Sequence, residues 1–262
     1  MAERNIVTMQ SDVIDVVRHG DVALIVLNRP AARNAMNMAL ASATVEAVAA
    51  CQDAAAIVLT GTDPAFCAGL DLRDLGVDRL TDLPEFTRAV AESDVPTIAA
   101  VNGPAVTGGF ELALACDFII ASERAAFADT HLRVGVFPGP VLIDLPRRVG
   151  VAWAHEMSLT GNFIDAATAL RIGLANHVVS HGELVPFALS LAGEIAEQDR
   201  TMVAAARQVW RRTAALPYDE AHRLHRQSAA ERGFRTATGE TLAGHRDSVL
   251  QRARSQRLPH DC

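Results

Sequence analysis

The chain contains no lysine: all 24 of its basic residues are arginine. That absence excludes a Schiff-base lysine, a pyridoxal phosphate anchor and a P-loop lysine. Cysteine is sparse and scattered, at Cys51, Cys67, Cys116 and Cys262, with no C-x-x-C pair. This spacing argues against a zinc ribbon, a thioredoxin-like site and a disulfide scaffold. No apolar run reaches the length of a membrane span. The first residues, with Glu3 and Arg4, lack the apolar core of a secretory signal. The net charge of -7 argues against nucleic acid as the main partner. G-x-S-x-G, G-x-G-x-x-G and H-E-x-x-H patterns are also missing. The expectation is a reduced, cytoplasmic protein with no nucleic-acid or membrane partner.

What is present is a chain of 262 residues, 50% hydrophobic, enough to bury a sizeable core. Two β-like runs, Val13 to Val17 and Val22 to Leu27, flank the turn signal His19-Gly20-Asp21 and predict a hairpin. Met36 to Ala50 is rich in alanine and predicts a helix. Short strands are predicted at Ala56 to Thr60, Thr97 to Val101, Phe118 to Ala121, Ala125 to Ala128 and Asn176 to Val179. Helices are predicted at Leu83 to Glu92, Val141 to Val149, Val151 to Leu159 and Asp165 to Ile172, the last closed by Gly173. Beyond Glu183 the pattern turns helical: Leu184 to Glu197, Met202 to Ala215, Asp219 to Ala230 and Thr241 to Arg254. The expected organisation is an α/β body over residues 1–199 and a helical region over 200–262.

The most informative segment is VNGPAVTGGFELALACD, from Val101 to Asp117. A strand ends at Asn102-Gly103, and Gly108-Gly109 opens an apolar helix that carries one carboxylate, Glu111. Glycine lets backbone N–H groups approach a ligand closely. A helix start leaves such donors unpaired and slightly positive. Glu111 lies about one turn beyond Gly108 and shares its face. The second informative loop is PAFCAGLDL, from Pro64 to Leu72, where Ala68-Gly69 would bring further amides within reach of a ligand. Two such amides from two connections make a pair of donors for one oxyanion.

With LNRPAARNAMN (Leu27 to Asn37), AFCAGLDL (Ala65 to Leu72) and the stretch Phe127 to Gly139, these blocks resemble the crotonase (enoyl-CoA hydratase/isomerase) superfamily. The likeness runs over roughly residues 13–200. It implies a crotonase-like spiral of ββα units with a C-terminal helical trimerisation region, and a homotrimer or dimer of trimers. It implies an oxyanion hole from the backbone N–H groups of Ala68 and Gly108, holding the carbonyl of an acyl-CoA thioester. Gly69, Leu70 and Asp71 would belong to the same CoA-contacting loop, and Gly139 to the substrate site. Glu111 matches one of the two glutamates that flank the water in hydratases of this superfamily. The second glutamate position falls on His131. An imidazole can serve as acid or base near neutral pH but cannot reproduce a carboxylate's charge. Asp129, two residues earlier, would point the same way in a strand and could supply a carboxylate.

This departure makes a simple isomerase less favoured, because isomerases of the superfamily generally carry their proton-shuttling carboxylate at the position of His131. The leading expectation is a lyase of fatty acid or related acyl-CoA metabolism that adds water to a 2-enoyl-CoA. CoA enters as part of the substrate, so no metal or other cofactor is expected. Thioester hydrolysis or retro-aldol cleavage on the same scaffold is the alternative, as is an acyl-CoA binding protein of low activity. Thr107, where glycine is common, and Pro140, Val141 and Leu142 would reshape the acyl pocket. Arg252 and Arg254 are read as solvated helix charges, with a role in place of the missing CoA-binding lysine as the alternative. A metal site at His222 and His225 and a nucleophilic Cys67 are disfavoured.

Overall fold

In the computed structural model, which describes residues 6–71, 73, 83–231 and 246–252, the hairpin forms as the turn signal requires. Ile14–His19 (β2) pairs antiparallel with Val22–Leu27 (β3), and Ile6–Gln10 (β1) adds an outer strand to β2. From β3 onward the sheet is parallel, through Ala56–Gly61 (β4), Thr97–Val101 (β5), Phe118–Ser122 (β7) and His177–Val179 (β10). β4 and β5 are buried along their whole length, as strands covered on both faces must be.

The two-residue alternation of a strand sorts the side chains between those faces. Leu24, Val58, Ile98, Ala100 and Ile120 face Leu184, Ala188 and Ala192 of the helix Leu184–Ala196 (α7). These helix residues recur every four positions and so share one stripe. Ile25, Ile57, Leu59, Ala99 and Val101 enter the larger cluster with Leu40 and Ala47 of Met38–Ala50 (α1) and Phe110 of Gly108–Leu114 (α3). A second, three-stranded sheet joins Pro104–Val106 (β6), Ala126–Ala128 (β8) and Ile164–Asp165 (β9). Both sheets matter to the site, because α3 begins where β6 ends.

The predicted elements form with shifted boundaries. α1 starts at Met38, capped by the Asn37 side chain, which accepts from the Leu40 N–H at 3.0 Å. Met36 instead forms an isolated parallel bridge with Leu70. The helix expected from Leu83 is shorter, Phe86–Ala91 (α2), because Pro84 precedes it. Val141–Val149 (α4), Val151–Thr160 (α5) and Ala166–Arg171 (α6) form as read, and Gly173 takes the left-handed φ of 76° that follows α6. β1, β6 and β9 were not anticipated. Of the last predicted helix, residues 246–252 are helical and the remainder lies outside the described residues.

The chain divides into two compact units, Met1–Ala204 and Ala205–Cys262. The first holds both sheets and helices α1 to α7. Arg200–Thr213 (α8) runs from the first into the second, which also contains Tyr218–Glu231 (α9). No helix among the described residues is long and apolar enough to cross a membrane.

Candidate active site

Loops after β3, β4 and β5 meet at the N-terminus of α3, and their backbones are laced together. The Cys67 carbonyl accepts from the Val106 N–H at 3.0 Å, while the Cys67 N–H donates to the Pro104 carbonyl at 3.2 Å. This parallel bridge lays Gly69 beside Thr107 and Leu70 beside Gly108. A second bridge ties the next residues to the β3 loop: the Met36 N–H donates to the Gly69 carbonyl at 2.7 Å, and the Asp71 N–H to the Met36 carbonyl at 2.9 Å. Asn34 fixes the whole group. It is fully buried, has a left-handed φ of 55°, and its amide donates at 2.7 Å to both the Thr62 and the Ala65 carbonyl. Its Oδ1 accepts from the Arg29 N–H at 2.8 Å. Asparagine tolerates that backbone region better than most residues.

The glycines here are required by contact. A Cβ on Gly69 would lie 2.0 Å from the Thr107 hydroxyl oxygen, and one on Gly109 would lie 2.1 Å from the Cys67 carbonyl oxygen. Gly108 is different, since its Cβ would meet only the tip of Leu70 at 3.3 Å and the Phe86 ring at 3.7 Å. Thr107 precedes it at φ 46°, ψ -119°, a region that L residues rarely adopt.

The two expected oxyanion donors lie on these two bridged segments, and they are in different states. Gly108 opens α3, and among the described residues its N–H has no partner. The Ala68 N–H donates to the Arg33 carbonyl at 3.1 Å. A substrate carbonyl would have to share that donor or displace Arg33, whose φ of 51° is also left-handed. Leu70 packs beside Gly108. Asp71 is held by Arg29, 3.1 Å from its guanidinium, so this side chain ties the loop to the β3 connection.

Glu111 projects from the first turn of α3 to the start of α4. Its Oε1 accepts from the Val141 N–H at 3.2 Å. Gly139 allows this approach, since a Cβ there would stand 3.0 Å from the same oxygen. The carboxylate is 8% exposed, and burial pushes its pKa up against the opposing pull of His131 and the Val141 and Gly139 amides. His131 is also buried, with Nε2 4.0 Å from Glu111 Oε2 and Nδ1 2.6 Å from Asp129 Oδ1. Burial works against the charged ring, but the hydrogen bond to Asp129 and the charges of Glu111 and Asp129 outweigh it and raise the pKa. Burial also opposes charge on Asp129, yet the hydrogen bond with His131, helped by the nearby Ser158, holds its carboxyl below the usual range. The three groups form a chain, Asp129 to His131 to Glu111, with one hydrogen-bonded step and one open step.

A cleft of about 460 Å³ reaches Glu111 between α2, α3 and α4. Its lining among the described residues includes Glu85, Arg88, Glu92, Pro140 and Asp144. Arg88 is paired with Glu85 at 3.0 Å and Glu92 at 2.8 Å. Burial pushes the Asp144 carboxyl up. Of the other singled-out residues, Cys67 is fully buried and its thiol is pushed up to about 12 by burial, which removes it as a nucleophile. Among the described residues no group of three or more His, Cys, Asp or Glu could hold a metal ion. Arg254 lies outside the described residues.

The sequence pointed to Glu111, His131, Ala68, Gly108 and Gly139, and the structure gathers them around the start of α3. Two features were missed: the Asn34 clamp and the Asp129–His131 hydrogen bond. Asn34 had a signal in its motif, an asparagine shortly after Arg29-Pro30 where the chain must turn back.

Residues 18–243 match the family model described as Enoyl-CoA hydratase/isomerase. A probable enoyl-CoA hydratase of Rhizobium meliloti (strain 1021) is 40% identical over 228 residues, 84% of this chain and 89% of that one. A carnitinyl-CoA dehydratase of Salmonella paratyphi A is 36% identical over 232 residues, 82% of this chain and 87% of that one. Among solved structures, an enoyl-CoA hydratase subunit I from Geobacillus kaustophilus HTA426 matches with a TM-score of 0.81 at 30% identity, covering 92% of this chain and 97% of that one. An enoyl-CoA hydratase from Mycobacterium tuberculosis H37Rv matches with a TM-score of 0.69 at 40% identity, covering 86% and 99%. The chain therefore has the crotonase fold and belongs to the enoyl-CoA hydratase/isomerase family, as an enzyme of the hydratase/lyase type.

Proposed function

We propose that this protein interconverts a 2-enoyl-CoA and the corresponding 3-hydroxyacyl-CoA by adding or removing water. The observation that carries this reading is the buried Glu111–His131 pair, 4.0 Å apart, at the start of the helix opened by Gly108. A gap of 4.0 Å is too long for a hydrogen bond, but a water oxygen about 2.8 Å from each atom fits as the apex of a triangle. The Gly108 N–H, with the Ala68 N–H once Arg33 yields or shares it, would polarise the thioester carbonyl and stabilise the enolate that develops on it. Glu111 takes a proton from the water as its oxygen bonds to C3, and His131 gives a proton to C2. The pair then resets when the proton on Glu111 passes to the ring. CoA is part of the substrate, and no other cofactor enters the step.

The carboxylates of the cleft beside Glu111 outnumber its one described arginine, which supports a polar or positively charged acyl group. Asp144 faces the same cleft, and the one arginine among its described lining residues is already paired with two carboxylates. The carnitinyl-CoA dehydratase relatives point the same way. The proposal includes a homotrimer or dimer of trimers acting in the cytoplasm.

Incubation with crotonyl-CoA, longer 2-enoyl-CoAs and a 2-enoyl-CoA carrying a trimethylammonium group tests the reading through loss of the enoyl absorbance. Turnover is expected, fastest for the cationic substrate, with Glu111→Gln lowering kcat by roughly 10³-fold. Tight binding of CoA esters without turnover at any chain length would overturn it in favour of a binding protein. Free CoA release, followed with a thiol reagent, would assign thioester hydrolysis instead.

A further inference from the structure

The pair that carries the proposed chemistry is held from behind. Asp129 directly follows β8 and is 1% exposed. Its Oδ1 is 2.6 Å from His131 Nδ1 and 3.3 Å from the His131 N–H. The same end of β8 is bound to the oxyanion segment, because the Ala128 carbonyl accepts from the Thr107 N–H at 3.0 Å. Ring, carboxylate and the Gly108 helix start are thus fixed to one short sheet.

An ionised carboxylate can only accept hydrogen bonds, so the nitrogen facing it must carry the proton. A neutral imidazole has a single N–H. We infer that Asp129 is a positioning residue that keeps the proton on His131 Nδ1 and so makes Nε2, the nitrogen facing Glu111, the one that exchanges protons during the reaction. In the neutral ring Nε2 offers its lone pair, and in the charged ring it offers its N–H. Asp129 stays ionised in both states and takes no proton itself. The charged groups that face the ring are Glu111 from α3 and Asp129 from its own loop. Ser158, on α5, also favours the ionised form of Asp129. A histidine in place of a second glutamate can then still deliver a proton: its partner supplies the negative charge that the ring lacks.

The kinetic half of the test rests on the hydration reading, whereas the spectroscopic half does not. Nitrogen-15 NMR of the histidine rings in the full-length protein, with the His131 signal assigned by His131→Gln, reports which nitrogen is protonated. The expected result is an Nδ1–H ring on both sides of its titration. In Asp129→Asn the neutral ring should lose this preference and titrate at lower pH. The basic limb of kcat should move to lower pH with it, and kcat should fall by roughly 10²-fold with KM within about twofold. A neutral Nε2–H ring in the wild-type protein overturns the inference without any variant. An unmoved limb in a folded Asp129→Asn overturns it as well. A protein that hydrates no enoyl-CoA but keeps the Nδ1–H ring overturns the hydration reading and leaves the role of Asp129 standing.

Discussion

A methyl group added at Gly109 would lie 2.1 Å from the Cys67 carbonyl oxygen, which is backbone bridged to β6 and has no room to move. Gly109→Ala is therefore expected to lower stability by roughly 3 kcal/mol and to push the Ala68 loop off its register. At Gly108 the same methyl group meets only the flexible end of Leu70 at 3.3 Å. Gly108→Ala should melt within about 1 kcal/mol of wild type yet lose activity, because the methyl would crowd the thioester beside Leu70 and Phe86. Melting curves set against enoyl-CoA turnover separate the two, and equal losses in both variants would refute the distinction. Thr107 gives a test of opposite sign. Its φ of 46° with ψ of -119° is a conformation of glycine, and such strain costs about 1–3 kcal/mol. Glycine's own entropy gives back roughly 0.5–1 kcal/mol of that. Thr107→Gly should gain on the order of 1 kcal/mol in denaturant unfolding.

At the scale of elements, α1 depends on its first residue. Asn37→Ala removes the acceptor of the Leu40 N–H and should cost about 1 kcal/mol, read from the urea midpoint. The strands and helices of the body were legible because burial writes a period into the chain. β4 reads AIVLTG because both its faces are covered, and α7 places Leu184, Ala188 and Ala192 four residues apart. The elements that escaped notice are those whose partners are distant. β6 spans three residues and begins with proline, so nothing local marks it, and its pairing with β8 spans more than twenty positions of sequence. Asp129 and His131 illustrate a partial success. Their spacing suggested a shared strand face, but β8 ends at Ala128 and His131 is in the αR region at φ -52°. They meet because the chain turns there, with the Asp129 carboxylate also accepting from the His131 N–H. No periodicity encodes that contact.

At the scale of the molecule, the site trades stability for chemistry. The folded pKa of Glu111 is raised, chiefly by burial. A raised carboxyl gives stability that is full below the unfolded value near 4.3 and lost as pH climbs through the folded value. Glu111→Gln removes that loss. Its melting temperature relative to wild type should rise between pH 4 and pH 8, while turnover disappears; a constant difference across that range would contradict the assignment. The laced loops carry a different consequence. Both donors proposed to hold the thioester belong to the main chain, and the bridge from Cys67 to Ala105 sets their spacing. Codon changes alter side chains and leave such amides in place, unless proline removes the N–H or a glycine acquires a Cβ. Lineages sharing this scaffold would thus inherit the electrostatic half of the reaction intact and diverge through the few side chains facing it. On the proposed function, His131 backed by Asp129, where the resemblance expects a second glutamate, has the form of one such divergence: different proton chemistry on a main-chain frame.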